Sequence, residues 1–141
     1  MASTILYSYY HSLYFNFSLF AHLGTQRGHI HIYDVTTQKC LQSIRKHTNR
    51  VGVLAWNDWS LCSGSRDRSI LEHDIRQRLT IHAFHGHTQE VCGLKWSHDK
   101  SILASGGNDN RLFLWCKSQS SQGIYYTEVR FTPVRMLFKI I

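Results

Sequence analysis

Gly86-His-Thr-Gln-Glu-Val-Cys-Gly-Leu-Lys-Trp96 and Leu103-Ala-Ser-Gly-Gly-Asn-Asp-Asn110 are the stretches that decide the fold, because both have earlier copies. His47-Thr48 stands 40 positions before His87-Thr88, and Trp56 stands 40 before Trp96. Ser63-Gly64 stands 42 before Ser105-Gly106, and Asp67 stands 42 before Asp109. The offset grows by two because Ser97 to Ser101 is longer than Asn57 to Ser60, which is where a loop absorbs an insertion. An earlier, partial copy is also present: Tyr33-Asp34 precedes His73-Asp74 by 40, and Gly24-Thr25 takes the place of Gly64-Ser65.

Within each copy the apolar pattern is that of strands. Val51 to Trp56, Leu61 to Ser65, Ser69 to Asp74 and Leu79 to Phe84 are four short runs separated by turn formers. Val91 to Trp96, Ile102 to Ser105 and Arg111 to Trp115 match the first three. No stretch carries a helical apolar stripe, so the chain reads as all-β. Five residues, Gly106 to Asn110, are expected to make the last tight turn, since Gly and Asn tolerate positive φ.

Repeats of about 40 residues with Gly-His near one end and Trp-Asp near the other mark WD-repeat propellers. Here Gly86-His87 supplies the first pair, and Tyr-Asp, His-Asp and Trp-Cys stand at the second. The expected architecture is a partial propeller, with two complete four-stranded blades and part of a third. The divisions are residues 1–23, a divergent segment that is either blade strands or an extension; 24–46, a partial repeat, with Ser12 to Asn16 the least certain strand of its sheet; 47–86 and 87–128, full repeats; and 129–141, a divergent tail. In such blades His87, Ser105, Asp109 and Trp115 are expected to form a chain of hydrogen bonds. His47, Ser63 and Asp67 repeat it, with His73 where the last blade has Trp115 and a weaker network expected.

The bulk properties exclude several function classes. Net charge is +7 with a pI near 9.5, but Arg45, Lys46 and Arg50 are the only loose basic cluster, and no nucleic-acid motif appears. A surface favouring acidic partners fits better. Cys40, Cys62, Cys92 and Cys116 include no close pair of the zinc-binding kind and are expected to be buried, reduced thiols. The uncharged Met1 to Gln26 lacks a positive start and is interrupted by Ser8, His11, Ser12, Asn16, Ser18 and His22, which argues against a signal or a membrane span. His29 and His31 share a strand face, but no third ligand or orienting acid stands at a telling spacing, so neither a metal site nor an enzyme is expected. No cofactor is expected.

Arg50-Val-Gly-Val-Leu-Ala-Trp-Asn57, Ser63-Gly-Ser-Arg-Asp-Arg-Ser-Ile70 with Asp74-Ile-Arg76, Gln89 to Trp96 and Leu103 to Asn110 resemble the Fizzy and Fizzy-related proteins, with the Ser-Arg-Asp-Arg run leaning toward the latter. The resemblance covers about Gly24 to Glu128. It implies a substrate receptor of a ubiquitin-ligase activator of the anaphase-promoting complex, active in nucleus and cytoplasm, with protein partners and neither nucleic acid nor membrane. It also implies that Asn108 and Asn110 belong to the receptor for a Lys-Glu-Asn degron, although turn chemistry alone accounts for both asparagines. The family's docking motif is not found, and the chain ends Lys139-Ile140-Ile141, so truncation at both ends is expected. Weak peptide binding without ligase activation follows, and so does marginal stability of a chain with open blade flanks. The alternative is an inactive or purely structural WD-repeat scaffold.

Overall fold

Strand pairing in this chain is local. The computed structural model describes residues 8–10, 20–120 and 123–131, and in that part every strand pairs antiparallel with its sequence neighbour inside one of three sheets. The first sheet holds β1 (Ser8–Tyr10), β2 (Phe20–Gly24), β3 (His29–Asp34) and β4 (Lys39–Arg45). The second holds β5 (Val51–Asn57), β6 (Ser60–Ser65), β7 (Ser69–Asp74) and β8 (Leu79–His85). The third holds β9 (Val91–Trp96), β10 (Ile102–Gly107), β11 (Leu112–Ser120) and β12 (Gly123–Phe131). These are three consecutive propeller blades, and the first is the least complete, since β1 has only three residues.

Several boundaries differ from those the sequence suggests. Ser12 to Asn16 lies outside the described residues. The first blade extends upstream of Gly24, because Phe20–Gly24 pairs with β3. At the other end β12 runs to Phe131, past Glu128, as Leu112 pairs with Phe131. Gly106 and Gly107 are strand residues, so the last turn is shorter than five.

Turn chemistry explains the longer last hairpin. In the first two blades the aspartate of the Tyr-Asp or His-Asp pair closes the β3–β4 and β7–β8 turns. Asp34 Oδ1 accepts from the Thr36 and Thr37 amides at 2.8 and 3.1 Å, and Asp74 Oδ1 from those of Arg76 and Gln77 at 2.9 and 3.0 Å. Each turn ends on a left-handed residue, Gln38 or Arg78. The third blade has Cys116 at this point, which offers no carboxylate to the amides. Its strand therefore continues to Ser120 before reversing.

The core lies between blades. One cluster joins Ala55, Cys62, Ile70 and Phe84 of the second sheet to Val91, Leu94, Trp96, Leu103, Phe113 and Trp115 of the third. The other joins Ile30, Ile32 and Ile44 of the first to Val51 and Leu61 of the second, with Leu54, Trp56 and Ile75 against it. Leu61 and Cys62 are consecutive residues on opposite faces of β6, and each faces a different neighbour. That is why β6 and β7 are buried on both faces while β4 and β8, outermost in their blades, alternate with solvent. Where inner strands pack closest only glycine fits. A Cβ on Gly64 would stand 2.7 Å from Val91 Cγ1, and one on Gly24 would stand 2.9 Å from Val51 Cγ1, the same contact one blade earlier.

Polar bonds also cross between blades. Trp56 Nε1 donates to His22 Nδ1 at 2.9 Å, Asn57 Nδ2 to the Lys100 carbonyl at 3.3 Å, and Lys100 pairs with Asp58. Of the cysteines, Cys62 is buried, Cys116 is half-buried, and Cys40 and Cys92 are exposed. The expectation of four buried thiols thus fails at two positions, because Cys40 sits on an outermost strand and Cys92 on a bulge.

Candidate functional site

The second and third blades each turn inward one aspartate, Asp67 and Asp109, that organises the end of the sheet. In the third blade His87 Nδ1 donates to Asp109 at 3.0 Å, the Ser105 hydroxyl donates to His87 Nε2 at 2.9 Å, and Trp115 Nε1 donates to Ser105 Oγ at 3.0 Å. With the ring protonated at Nδ1 and accepting at Nε2, the chain of donors runs one way, from indole to carboxylate. Asp109 also accepts from the Thr88 amide at 2.8 Å and the Arg111 amide at 3.1 Å. Burial pushes its carboxyl up, but these amides and the His87 ring outweigh that and hold it below the usual range. Gly107 is required here for space: a Cβ would lie 2.6 Å from His87 Nδ1 and 2.9 Å from Asp109 Oδ1.

The second blade repeats the arrangement and carries it further. His47 Nδ1 donates to Asp67 at 2.9 Å and Ser63 to His47 Nε2 at 2.8 Å. His73 takes the place of Trp115. Its Nε2 lies 3.1 Å from Ser63 Oγ, and its Nδ1 lies 3.0 Å from Thr80 Oγ1 on β8. This chain therefore reaches the outermost strand, which the third blade's chain does not. Burial pushes Asp67 up, but the Ser69 hydroxyl and the Ser69 and Thr48 amides bring it down to about 2.

Burial, with help from His47 and Lys46, holds His73 down at about 4, against an ordinary 6.5. The unfolded chain therefore takes up a proton between pH 6.5 and 4 that the native chain refuses. Stability from this group is constant above that window and falls as pH falls through it. The Asp67 contribution is lost only lower, between its ordinary 3.8 and about 2. Between pH 7 and 4.5 the His73 effect amounts to roughly 2–3 kcal/mol. Urea unfolding at the two pH values should show this loss and should show much less of it in His73→Trp, which copies the third blade. Equal losses in both would rule out His73 as the source.

The outward side of the same turns forms the candidate binding surface. Arg50, Arg66, Arg68, Thr88, Gln89, Glu90 and Asn108 line a shallow groove of about 480 Å³ between the second and third blades. Its walls are fixed by the inward networks, since Asp109 holds the Thr88 amide and lies beside Asn108. Across the groove Arg50 makes a two-pronged ion pair with Glu90, Nε to Oε1 at 2.6 Å and Nη2 to Oε2 at 2.8 Å.

A bulge sets the orientation of Asn108. Opposite Gly106 and Gly107, β9 supplies Gly93 and then Val91, so Cys92 between them is left out of register. Its thiol swings to the turn and donates to Asn108 Oδ1 at 3.1 Å, while the Asn108 amide donates to the Glu90 carbonyl at 2.9 Å. Burial and then Glu90 raise the Cys92 thiol, which stays protonated and able to donate. The carboxamide NH₂ of Asn108 has no partner among the described residues and is open to a ligand carbonyl. Asn110 is exposed but does not line the groove. It has φ 58°, the left-handed position that Gly28 and Arg68 fill in the other blades.

Arg50, Arg66, Arg68, Thr88, Gln89 and Glu90 were not singled out by sequence reasoning. The signal was present for two of them, because Arg66 and Arg68 stand 42 positions before Asn108 and Asn110. Among the described residues no group of three or more His, Cys, Asp or Glu side chains is arranged to hold a metal ion, and no helix is long and apolar enough to cross a membrane.

Three stacked four-stranded blades, the second and third braced by a His–Asp pair, define part of a WD-repeat propeller. The model for the WD domain, G-beta repeat, matches residues 38–74 and 78–116. Each match starts with the outer strand of one blade and ends on the third strand of the next. The chain belongs to the WD-repeat family, and its repeats are of the Fizzy and Fizzy-related kind. It is 53% identical over 94 residues to Protein FIZZY-RELATED 3 of Arabidopsis thaliana, covering 66% of this chain and 20% of that protein. It is 51% identical over 94 residues to the Anaphase-promoting complex subunit cdc20 of Dictyostelium discoideum, covering 66% of this chain and 19% of that protein. The chain thus spans about a fifth of these relatives. Among solved structures, a chain of the Mitotic Checkpoint Complex superposes with a TM-score of 0.67 at 45% identity, covering 69% of this chain and 30% of that one. U3-55K superposes with a TM-score of 0.65 at 21% identity over 79% of this chain and 35% of that one, which bears on the fold alone.

Proposed function

We propose that this chain is part of a degron receptor of an anaphase-promoting complex activator, an adaptor and not an enzyme. In this reading it holds a Lys-Glu-Asn segment of substrates on the groove between its second and third blades. The observation that carries the reading is Asn108, fixed by the Cys92 thiol with its NH₂ open on the groove. A preset donor costs little entropy when a peptide carbonyl arrives. Asn110 adds a second amide on the lip of the same turn, while also making the turn. The partners would be degron-bearing substrates and the complex that the Dictyostelium relative is named for, and the compartments nucleus and cytoplasm.

Titrating a fluorescent Lys-Glu-Asn peptide against the 141-residue chain tests this. Asn108→Ala should weaken binding by about three- to ten-fold, the worth of one neutral hydrogen bond, and the double change with Asn110→Ala should weaken it further. Unchanged affinity in the double variant would leave the alternative, a structural scaffold, standing.

A further inference from the structure

The turn that carries Asn108 and Asn110 in the third blade carries Arg66 and Arg68 in the second. Both turns fold alike, with Asp67 and Asp109 pointing inward and Arg68 and Asn110 left-handed. The aspartate between the two arginines makes no ion pair with them. Its Oδ2 accepts from His47 and the Thr48 amide, and its Oδ1 from the Ser69 amide and hydroxyl. Among the described residues neither Arg66 nor Arg68 has an ion pair or side-chain hydrogen bond. The only anion lining the groove, Glu90, is already taken by Arg50. Of the three guanidinium groups in the groove one is paired, which leaves those of Arg66 and Arg68, on one wall and opposite the amide of Asn108, without an ion pair among the described residues.

We infer that this groove selects peptides with carboxylate side chains beside the segment held by Asn108, and that Arg66 and Arg68 are the residues that select them. Guanidinium forks fit carboxylates in two-pronged geometry, and the Arg50–Glu90 pair in the same groove already has that geometry. Arg50, spent on Glu90, acts as a positioning residue for the wall. A nucleic acid is the weaker occupant. Two free cations make few phosphate contacts, and the amides and hydroxyl of Asn108, Gln89 and Thr88 suit a peptide backbone. The inference rests on the peptide-binding reading above, but it predicts a different quantity.

The experiment compares two peptides that share a Lys-Glu-Asn core, one flanked on both sides by aspartate and the other by asparagine. Each is titrated against the full chain and against Arg66→Gln, Arg68→Gln. The aspartate peptide should bind on the order of five- to ten-fold more tightly at low salt, as two solvent-exposed ion pairs provide. The advantage should shrink in high salt and vanish in the double variant. Since both arginines are exposed, an unaltered thermal melt verifies that the variant is folded. Equal binding of the two peptides by the unmodified chain overturns this inference and leaves the degron reading intact. Binding of neither overturns both. Tighter binding of a single-stranded 20-mer oligonucleotide than of the aspartate peptide, abolished in the double variant, would assign the arginines to nucleic acid instead.

Discussion

Replacing Asp109 by alanine is expected to cost about 3 kcal/mol of stability, because one carboxylate satisfies several donors in the third blade. The side chain is 3% exposed and accepts from His87 Nδ1 and from the Thr88 and Arg111 amides. Thr88 lies near solvent and finds water. The His87 ring does not, since it is 1% exposed and packs edge-on against Phe113 with centroids 4.5 Å apart. An unpaired buried donor costs about 1–3 kcal/mol, and more as part of a network. The same change frees the turn that presents Asn108, so peptide affinity should fall although Asp109 touches no ligand. Urea unfolding gives the first effect and a peptide titration under native conditions the second. A stability loss below about 1 kcal/mol would mean that water replaces the carboxylate and that the inward network is not what braces the groove.

Phe113→Ala should be as damaging by a different route. Phe113 is fully buried at the centre of the interblade cluster, stacked on Trp115 at 5.5 Å and edge-on to His87. Gly86 is shaped to it, as a Cβ there would lie 3.1 Å from the Phe113 ring. Removing a buried phenyl ring costs about 3–5 kcal/mol, more where the walls cannot collapse. Here they resist collapse, because the lining belongs to two hydrogen-bonded sheets. Phe113→Leu, which keeps most of the volume, should recover more than half of the loss. The comparison is of urea midpoints for the three proteins. If alanine and leucine were equally harmful, edge and stacking contacts of the ring would outweigh the cavity.

Much of the fold was legible in the sequence, and for a definite reason. Every described strand pairs with its chain neighbour, so short apolar runs between turn formers give the sheets directly. The inward networks were legible for the same reason, since His47, Ser63 and Asp67 repeat His87, Ser105 and Asp109 at fixed offsets and each set lies within one blade. Less was legible where the pattern carries no sign of length. The absence of an aspartate at Cys116 sets a long β11–β12 hairpin, and Gly106 and Gly107, like Gly64 and Ser65 one blade earlier, end a strand instead of opening the turn. The weaker network expected from His73 overlooked Thr80, which only the pairing of His73 with Thr80 brings within reach.

The sequence by itself determined an all-β repeat protein of WD kind, with blade boundaries near the recurring His-Thr pairs and a turn bearing Asn108 and Asn110. The tertiary structure alone decided what that turn faces. Arg50 and Glu90 are 40 residues apart and meet because successive blades stack face to face. The same stacking sets Arg66 and Arg68 across from Asn108, and a bulge at Cys92 fixes which end of the amide points outward. Periodicity records which residues share a blade, since hydrogen bonding within a sheet is local in sequence. It does not record how one sheet lies on the next, which is fixed by side-chain volume at the interface, and the groove exists only there.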